Sequence, residues 1–262
     1  MSRYAGKLAD AIPDDILTYA SLALAVLFWG GSFIASKIAL QAVSPFVLIF
    51  SRFSLAALFF ITILFRPRAP SISARTYRYL LLLALFQPGL YFFFETYGLS
   101  YTSATKTSLI IATIPVLVLI LAALLFKERM RPAMVVGTFF SLAGVALLVF
   151  GEAGSTLDPT VLLGDLLVFG AVVSAAVYIL LARYLGQSIS PVQITGLQTI
   201  FGAIIFLPLF LMDLPDVQYQ LIGARTIAAI LGLSVFATIG AFLCYNYALS
   251  RTSAARAAVC IN

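Results

Sequence analysis

Three side chains able to bind charge or donate hydrogen bonds recur at four-residue spacing in one apolar stretch: Gln87, Tyr91 and Glu95. Residues four apart lie on one face of a helix. Glu95 is the only acid clearly inside such a stretch, and an ionisable group in lipid is costly unless it faces a cavity or a partner. Glu95 is therefore a candidate to bind a cationic amine or carry a proton. The alternatives to such a role are that Glu95 forms an ion pair with Lys106 or Arg52, or that it lies at a shallow, hydrated depth.

Polar and aromatic side chains also lie inside other apolar stretches. Trp29 is mid-segment rather than at an interface, where tryptophan usually anchors a helix, so cavity lining and packing are both open for it. Aromatic residues in lipid-embedded helices are more often packing residues, and each is weak evidence alone. At matching depths the set predicts a central cavity, with aromatic contacts and hydrogen bonds to a bound molecule. The full predicted lining is Trp29, Phe33, Gln87, Tyr91, Glu95, Thr107, Ser174, Tyr178, Phe242, Tyr245 and Asn246.

The composition argues against catalysis at this cavity. The chain has no histidine, and its two cysteines, Cys244 and Cys260, lie apart in apolar sequence. A catalytic Ser–His pair, a metal cluster or a disulfide framework cannot be assembled from these residues. Phosphate-cradling glycine loops are absent from the sequence as well. We therefore expect no catalytic residues, no metal, no cofactor and no enzyme activity.

The elements that must position these residues are membrane helices. Of the 262 residues, 62% are hydrophobic and 10% are charged, against roughly 25% charged in soluble domains. Several apolar runs reach the length of about 20 residues that crosses a bilayer. The sequence predicts an all-α polytopic membrane protein, in which the lipid bilayer is one partner. The predicted spans are 16–40, 44–65, 78–99, 104–126, 132–150, 164–185, 191–212 and 226–249, with a ninth starting near Ser253.

The basic residues predict the orientation. With the N-terminus in the cytoplasm, twelve of the sixteen Lys and Arg fall in inner loops, as the positive-inside rule favours. The acids Asp158, Asp213 and Asp216 then fall outside, and Asp165 lies at the outer start of the sixth span. This charge bias accounts for the net charge of +6, so we expect no nucleic-acid partner.

An internal repeat divides the chain. Residues 97–106 return as 247–256 with Tyr, Leu, Ser, Thr, Ser and Ala in the same order, a shift of 150 (247 − 97). Ser44-Pro45 returns as Ser190-Pro191, a shift of 146 (191 − 45). Five spans precede the second copy, and because five is odd the copies would be inverted in the membrane. We expect repeats at 16–150 and 164–262.

The sequence contains, in order, Trp29-Gly30-Gly31-Ser32-Phe33, Lys37, Ser44-Pro45, Arg52, Tyr97, Leu99, Thr102-Ser103-Ala104, Pro115, Lys127-Glu128-Arg129, Gly137 and Gly144. Together these residues resemble the EamA-type family of the drug/metabolite transporter superfamily. The resemblance covers nearly the whole chain. It implies ten spans in two inverted five-helix repeats, around a central cavity that binds a small-molecule substrate. It also implies export of amino acids or other small metabolites and drugs across a bacterial inner membrane.

At the 150-residue shift Asn262 corresponds to Ala112, so counterparts of residues 113–150 would lie beyond Asn262. We expect a chain ending there to show eight complete spans and part of a ninth, and to transport poorly. A membrane scaffold or sensor is an alternative, although it does not need polar groups within its spans. A nucleotide-sugar carrier would need several embedded cations for the phosphates, and the basic residues Lys37, Arg52 and Lys106 are scattered.

Overall fold

The computed structural model describes residues 14–64, 72–126, 158–217 and 219–260, together with residues 136–137, 139–140, 143–144 and 147. The regular elements in these ranges are helical. The α-helices are α1 (Asp14–Ala39), α2 (Pro45–Leu64), α3 (Ala74–Ala84), α4 (Tyr91–Tyr101), α5 (Ala104–Ile111), α6 (Ile114–Phe126), α7 (Pro159–Leu185), α8 (Pro191–Asp213), α9 (Ala224–Gly232), α10 (Ala241–Arg251) and α11 (Ala254–Val259). Short 3₁₀ turns follow α8 at Leu214–Asp216 and Tyr219–Leu221.

Seven stretches of the described chain are long and apolar enough to cross a membrane, and the protein is therefore a polytopic helical membrane protein. These spans are Asp15–Ala39, Pro45–Leu64, Ala74–Tyr101, Ala104–Leu125, Pro159–Leu185, Pro191–Asp216 and Ala224–Arg251. The predicted fifth span, 132–150, lies largely outside the described residues. Of the predicted ninth, the described part is α11.

Two spans begin earlier than the hydropathy pattern predicts, because polar caps start them. The Ser73 side chain accepts from the Thr76 backbone N–H, and Asp158 accepts from that of Thr160. Such caps satisfy backbone donors that have no partner within the helix. The sixth predicted span consequently starts at Pro159, which places Asp165 inside it rather than at its outer end. Asp165 accepts a 2.8 Å hydrogen bond from the Thr102 hydroxyl.

Two spans are interrupted midway, between α3 and α4 and between α9 and α10. The first interruption, Leu85–Leu90, contains Pro88, and Gln87 takes an extended backbone with φ −147° and ψ 114°. Proline lacks the N–H that continues a helix and forces its residues out of line. Gly202 of α8 leaves room for the Pro88 ring, since a Cβ on Gly202 would collide with Pro88 Cγ. The second interruption is Leu233–Gly240.

The helix bounds repeat along the chain. α9, α10 and α11 begin 150 residues after α3, α4 and α5 (224 − 74, 241 − 91 and 254 − 104). α8 begins 146 residues after α2 (191 − 45), and α7 ends 146 residues after α1 (185 − 39). We call α1–α6 the first helix set and α7–α11 the second. The largest contacts join the two sets, with α2 against α8, α4 against α7 and α1 against α10.

The repeated sequence 97–106 forms the same turn in both sets. Ser103 and Ser253 each cap the following helix by accepting from a backbone N–H, that of Lys106 at 3.1 Å and of Arg256 at 3.3 Å. A cation from the first helix of each set reaches the C-terminal end of the helix that precedes this turn. Lys37 Nζ donates to the carbonyls of Leu99 and Thr102 at 2.7 Å each. The counterpart Arg183 donates to the carbonyl of Leu249 at 2.8 Å.

Candidate functional site

A cavity of about 250 Å³ lies between the two helix sets. Aromatic rings, aliphatic side chains and a few polar groups form its wall. Ligand sites commonly have this composition, with mostly apolar walls and a small number of placed polar groups. The lining residues are Val26, Trp29, Gly30, Ser32, Phe33, Arg52, Gln87, Tyr91, Phe92, Glu95, Ser108, Ile111, Ala112, Ile114, Ala175, Tyr178, Ile179 and Tyr245.

The first helix set contributes the predicted acid. Glu95 of α4 is 3% exposed and lines the cavity. One of its oxygens, Oε2, accepts a 2.9 Å hydrogen bond from the Thr96 hydroxyl. Gln87 and Tyr91 line the same cavity, as their four-residue spacing predicts. Although the backbone at Gln87 is extended rather than helical, the side chains of Gln87, Tyr91 and Glu95 all reach the same cavity.

Arg52 of α2 also lines the cavity, which the sequence reasoning did not predict. A long basic side chain in a membrane helix can extend towards the interface, but Arg52 is only 3% exposed. Its guanidinium lies 4.6 Å from the Phe92 ring centre and 5.6 Å from that of Phe53. Its Nε donates a 3.0 Å hydrogen bond to the Thr238 hydroxyl in the second interruption. Packing on two rings and a bond to the opposite set hold this cation inside the protein.

The two charges share one cavity and make no direct ion pair within 4.0 Å in the described residues. The described residues therefore show no direct ion pair of Glu95 with Arg52 or Lys106, while the 3% exposure of Glu95 shows that it lies inside the protein. A buried charge is stabilised only by nearby opposite charge or hydrogen bonds. Here each charge faces the same small space, where it can act on a bound molecule.

The opposite wall is aromatic and comes from α1, α7 and α10. The Trp29 ring centre lies 5.4 Å from that of Phe242 and 5.1 Å from that of Tyr245, both edge-on. The Trp29 indole N–H donates to the Ala237 carbonyl at 3.2 Å. Trp29 therefore both packs and lines the cavity, which joins the two interpretations left open above. Phe33, Tyr178 and Tyr245 line the cavity as predicted.

Four of the predicted residues are not among those that line the cavity. Asn246 is bonded on both sides, accepting from the Tyr178 hydroxyl and donating to Thr195 Oγ1, each at 2.9 Å. The Ser174 hydroxyl donates to the Gly170 carbonyl of its own helix at 3.0 Å. Phe242 and Thr107 are fully buried, and neither contributes to the lining. Sequence spacing placed these residues on the right helices but could not say which face meets the cavity.

Both helix sets match the sequence profile of one family, described as the EamA-like transporter family, over residues 16–150 and 162–262. The chain belongs to the EamA-like transporter family. It is 31% identical over 243 residues to an uncharacterized transporter of Archaeoglobus fulgidus, covering 92% of this chain and 83% of that one. It is 25% identical over 239 residues to the uncharacterized transporter YetK of Bacillus subtilis, covering 90% of this chain and 72% of that one.

The fold is shared with solved proteins of low sequence identity. One crystal structure superposes with a TM-score of 0.71 at 20% identity, covering 94% of this chain and 83% of that one. For this member of the EamA-like family, the relatives' names support a membrane transporter.

Sequence reasoning missed several lining residues of this family member. Ser32 and Gly30 were not in the predicted lining, yet both line the cavity, and a Cβ on Gly30 would meet nothing within 4 Å. Phe92 follows Tyr91, and its neighbourhood gave no signal because the whole run 91–94 is aromatic. Arg52 had a usable signal, because a charge in the middle of an apolar helix is costly in lipid and usually functional.

Proposed function

We propose that this protein is a secondary transporter that exports small amphipathic molecules, amino acids and related metabolites among them, by alternating access. The observation that carries the proposal is the cavity between the helix sets, which holds the Glu95 carboxylate and an aromatic wall. Transporters built from inverted repeats bind substrate between the repeats and expose it to each side in turn. The repeated helix bounds at shifts of 150 and 146 support that arrangement.

The cavity's chemistry favours a substrate with a cationic amine. Glu95 has one oxygen engaged by Thr96, which leaves the other available to a bound ammonium group. An ion pair formed away from water is much stronger than one at a surface. Trp29 and Tyr91 can contact the amine from the ring faces, where cations bind favourably. Glu95 alternatively serves as the group that carries a coupled proton.

We further propose a bacterial inner membrane location, with the N-terminus in the cytoplasm. The support is the excess of Lys and Arg in the loops that this orientation places inside. The complete inverted arrangement would have ten spans, two of which fall outside the described helices. A non-transporting scaffold is the second hypothesis, and the buried charges argue against it because a scaffold gains nothing from them.

Glu95→Gln tests the proposal. We expect the variant to carry a cationic or zwitterionic amine into inside-out vesicles at least about tenfold more slowly, since hydrogen bonds to charged groups contribute about 1.5–3 kcal/mol. If Glu95 also carries the coupled proton, a pH gradient will no longer accelerate the remaining flux. The measurement is uptake of labelled amino acids into inside-out vesicles at several pH values.

Asp15→Asn is the matched control, because it also removes one carboxylate but from an exposed position at the start of α1. We expect its transport to equal that of the unmodified protein. Equal rates for Glu95→Gln and the unmodified protein at every pH would remove Glu95 from the mechanism. No flux of any amine by a chain that also includes second-repeat counterparts of residues 113–150 would favour the scaffold.

A further inference from the structure

The two helix sets are similar in their bounds but differ in the charge they present to the cavity. At the shift of 146, Arg52 corresponds to Gln198 (198 − 52), and at the shift of 150, Glu95 corresponds to Tyr245 (245 − 95). Gln198 and Tyr245 are fully buried and uncharged. The charged pair therefore belongs to the first helix set only, and of its two neutral counterparts Tyr245 lines the cavity.

Arg52 has the geometry of an anion-binding residue. A guanidinium is planar, packs against aromatic rings and presents its N–H groups as a fork that fits a carboxylate. Phe92 and Phe53 pack on Arg52, and Nε is bonded to Thr238. Its two terminal nitrogens make no hydrogen bond to the part of the chain that the structure describes. These nitrogens carry the donors of the fork, on a residue that lines the cavity.

We infer that Arg52 binds the carboxylate of the substrate, while Glu95 binds its amine, so that a zwitterion enters in one orientation. The charged end would lie against α2 and α4, and the apolar end against the aromatic wall of α7 and α10. This inference rests on the proposed function and adds the residue that selects the anionic group. Arg52 contacts the substrate directly and determines specificity rather than stability.

The cavity has a built-in reporter for this test. Trp29 is the single tryptophan of the chain and lines the cavity, so its fluorescence reports occupancy. Three probes share one apolar end and differ in charge, namely phenylalanine (both charges), 2-phenylethylamine (cation only) and 3-phenylpropionate (anion only). Their affinities are measured for the purified protein in detergent by titration of that fluorescence.

Arg52→Gln is expected to lower the affinities for phenylalanine and 3-phenylpropionate by about tenfold or more, because one hydrogen bond to a charged group contributes about that much. Binding of 2-phenylethylamine should stay the same or tighten, because a repelling cation has been removed. Glu95→Gln is expected to weaken the binding of phenylalanine and 2-phenylethylamine, whereas binding of 3-phenylpropionate should stay the same or tighten. Arg52→Lys keeps the charge without the fork and should recover part of the binding of 3-phenylpropionate.

Arg251→Gln is the control, since Arg251 is exposed and packs on Tyr247 away from the cavity. All three affinities should remain those of the unmodified protein. An equal loss for all three probes in Arg52→Gln would mean a structural role and overturn the inference, as would no loss for either carboxylate.

The two proposals can fail separately in this design. If Glu95→Gln changes nothing but Arg52→Gln still weakens 3-phenylpropionate, the amine site of the proposed function is wrong and the anion site stands. If Glu95→Gln weakens the binding of the two amines but Arg52→Gln does not weaken the binding of either carboxylate, the anion site is wrong. No binding of any probe to the unmodified protein would contradict both.

Discussion

Asn246 shows how a single residue can be predicted for the right place and the wrong role. Its position in an apolar span suggested a hydrogen bond to substrate, but both ends of its amide are already bonded, to Tyr178 and Thr195. Tyr178 does line the cavity. Asn246 therefore holds the Tyr178 ring at the cavity, and under the proposed function its effect on a substrate would pass through that ring.

Asn246→Leu is expected to destabilise the protein and to weaken binding together. The substitution keeps the shape but leaves the Tyr178 hydroxyl buried without its acceptor, at a cost of about 1–3 kcal/mol. Thermal unfolding in detergent and titration of Trp29 fluorescence measure the two effects. Tyr178→Phe in addition should restore part of the stability, because it removes the hydroxyl left without an acceptor. An unchanged melting temperature for Asn246→Leu would show that this network does not stabilise the fold.

At the level of helices, close packing between the sets depends on small residues. A Cβ on Gly98 of α4 would lie 2.6 Å from Val168 Cγ2 and 2.8 Å from the Gly164 carbonyl oxygen of α7. The approach is mutual, because a Cβ on Gly164 would lie 2.9 Å from Tyr101 Cβ. Small residues at such crossings let the backbones of membrane helices approach closely.

Gly98→Ala and Gly30→Ala form a matched pair for this packing. We expect Gly98→Ala to lower stability by about 1–3 kcal/mol, the usual cost of overpacking, because backbone atoms of α7 must move. Gly30→Ala meets nothing within 4 Å, and alanine is a better helix former than glycine. Its stability should be equal or higher. Thermal unfolding of both variants decides this, and equal melting temperatures would mean that the α4–α7 crossing can relax.

The helices were largely predictable from the sequence, and the interruptions only in part. Apolar runs located the seven described spans because lipid requires about 20 apolar residues for each crossing. Pro88 signalled the break after α3, since proline cannot continue a helix. No proline marks the second break, Leu233–Gly240. It forms where the Thr238 hydroxyl donates to the Leu233 carbonyl and accepts from Arg52, contacts that depend on tertiary packing.

The site was harder to predict than the helices because a cavity depends on how helices rotate about their axes. Glu95, Tyr91 and Gln87 were found through their shared spacing on one face. Arg52 was not found, because a long side chain in a membrane helix can also extend to the interface. Only the ring of Phe92 and the hydroxyl of Thr238, both distant in sequence, show that Arg52 points inwards.

For the whole molecule, the proposed inversion makes equivalent turns face opposite sides of the membrane. Tyr101 and Arg251 stand at matching positions in the repeated turn, 150 residues apart (251 − 101), and both are exposed. Inversion places Tyr101 outside the cell and Arg251 in the cytoplasm. The exchange of an aromatic residue for a cation between otherwise similar turns agrees with the positive-inside rule.

Single cysteines at these two positions test the inversion directly. In a background with Cys244 and Cys260 replaced by serine, Tyr101→Cys should react with a membrane-impermeant maleimide on intact cells, and Arg251→Cys should react only after permeabilisation. A parallel repeat would label both cysteines from the same side. Because the two turns share their capping serine and their helix bounds, a difference in labelling reports the side of the membrane rather than local structure. Under the proposed function, an inverted arrangement would allow one cavity to open to either side, since each helix set could then take the conformation of the other.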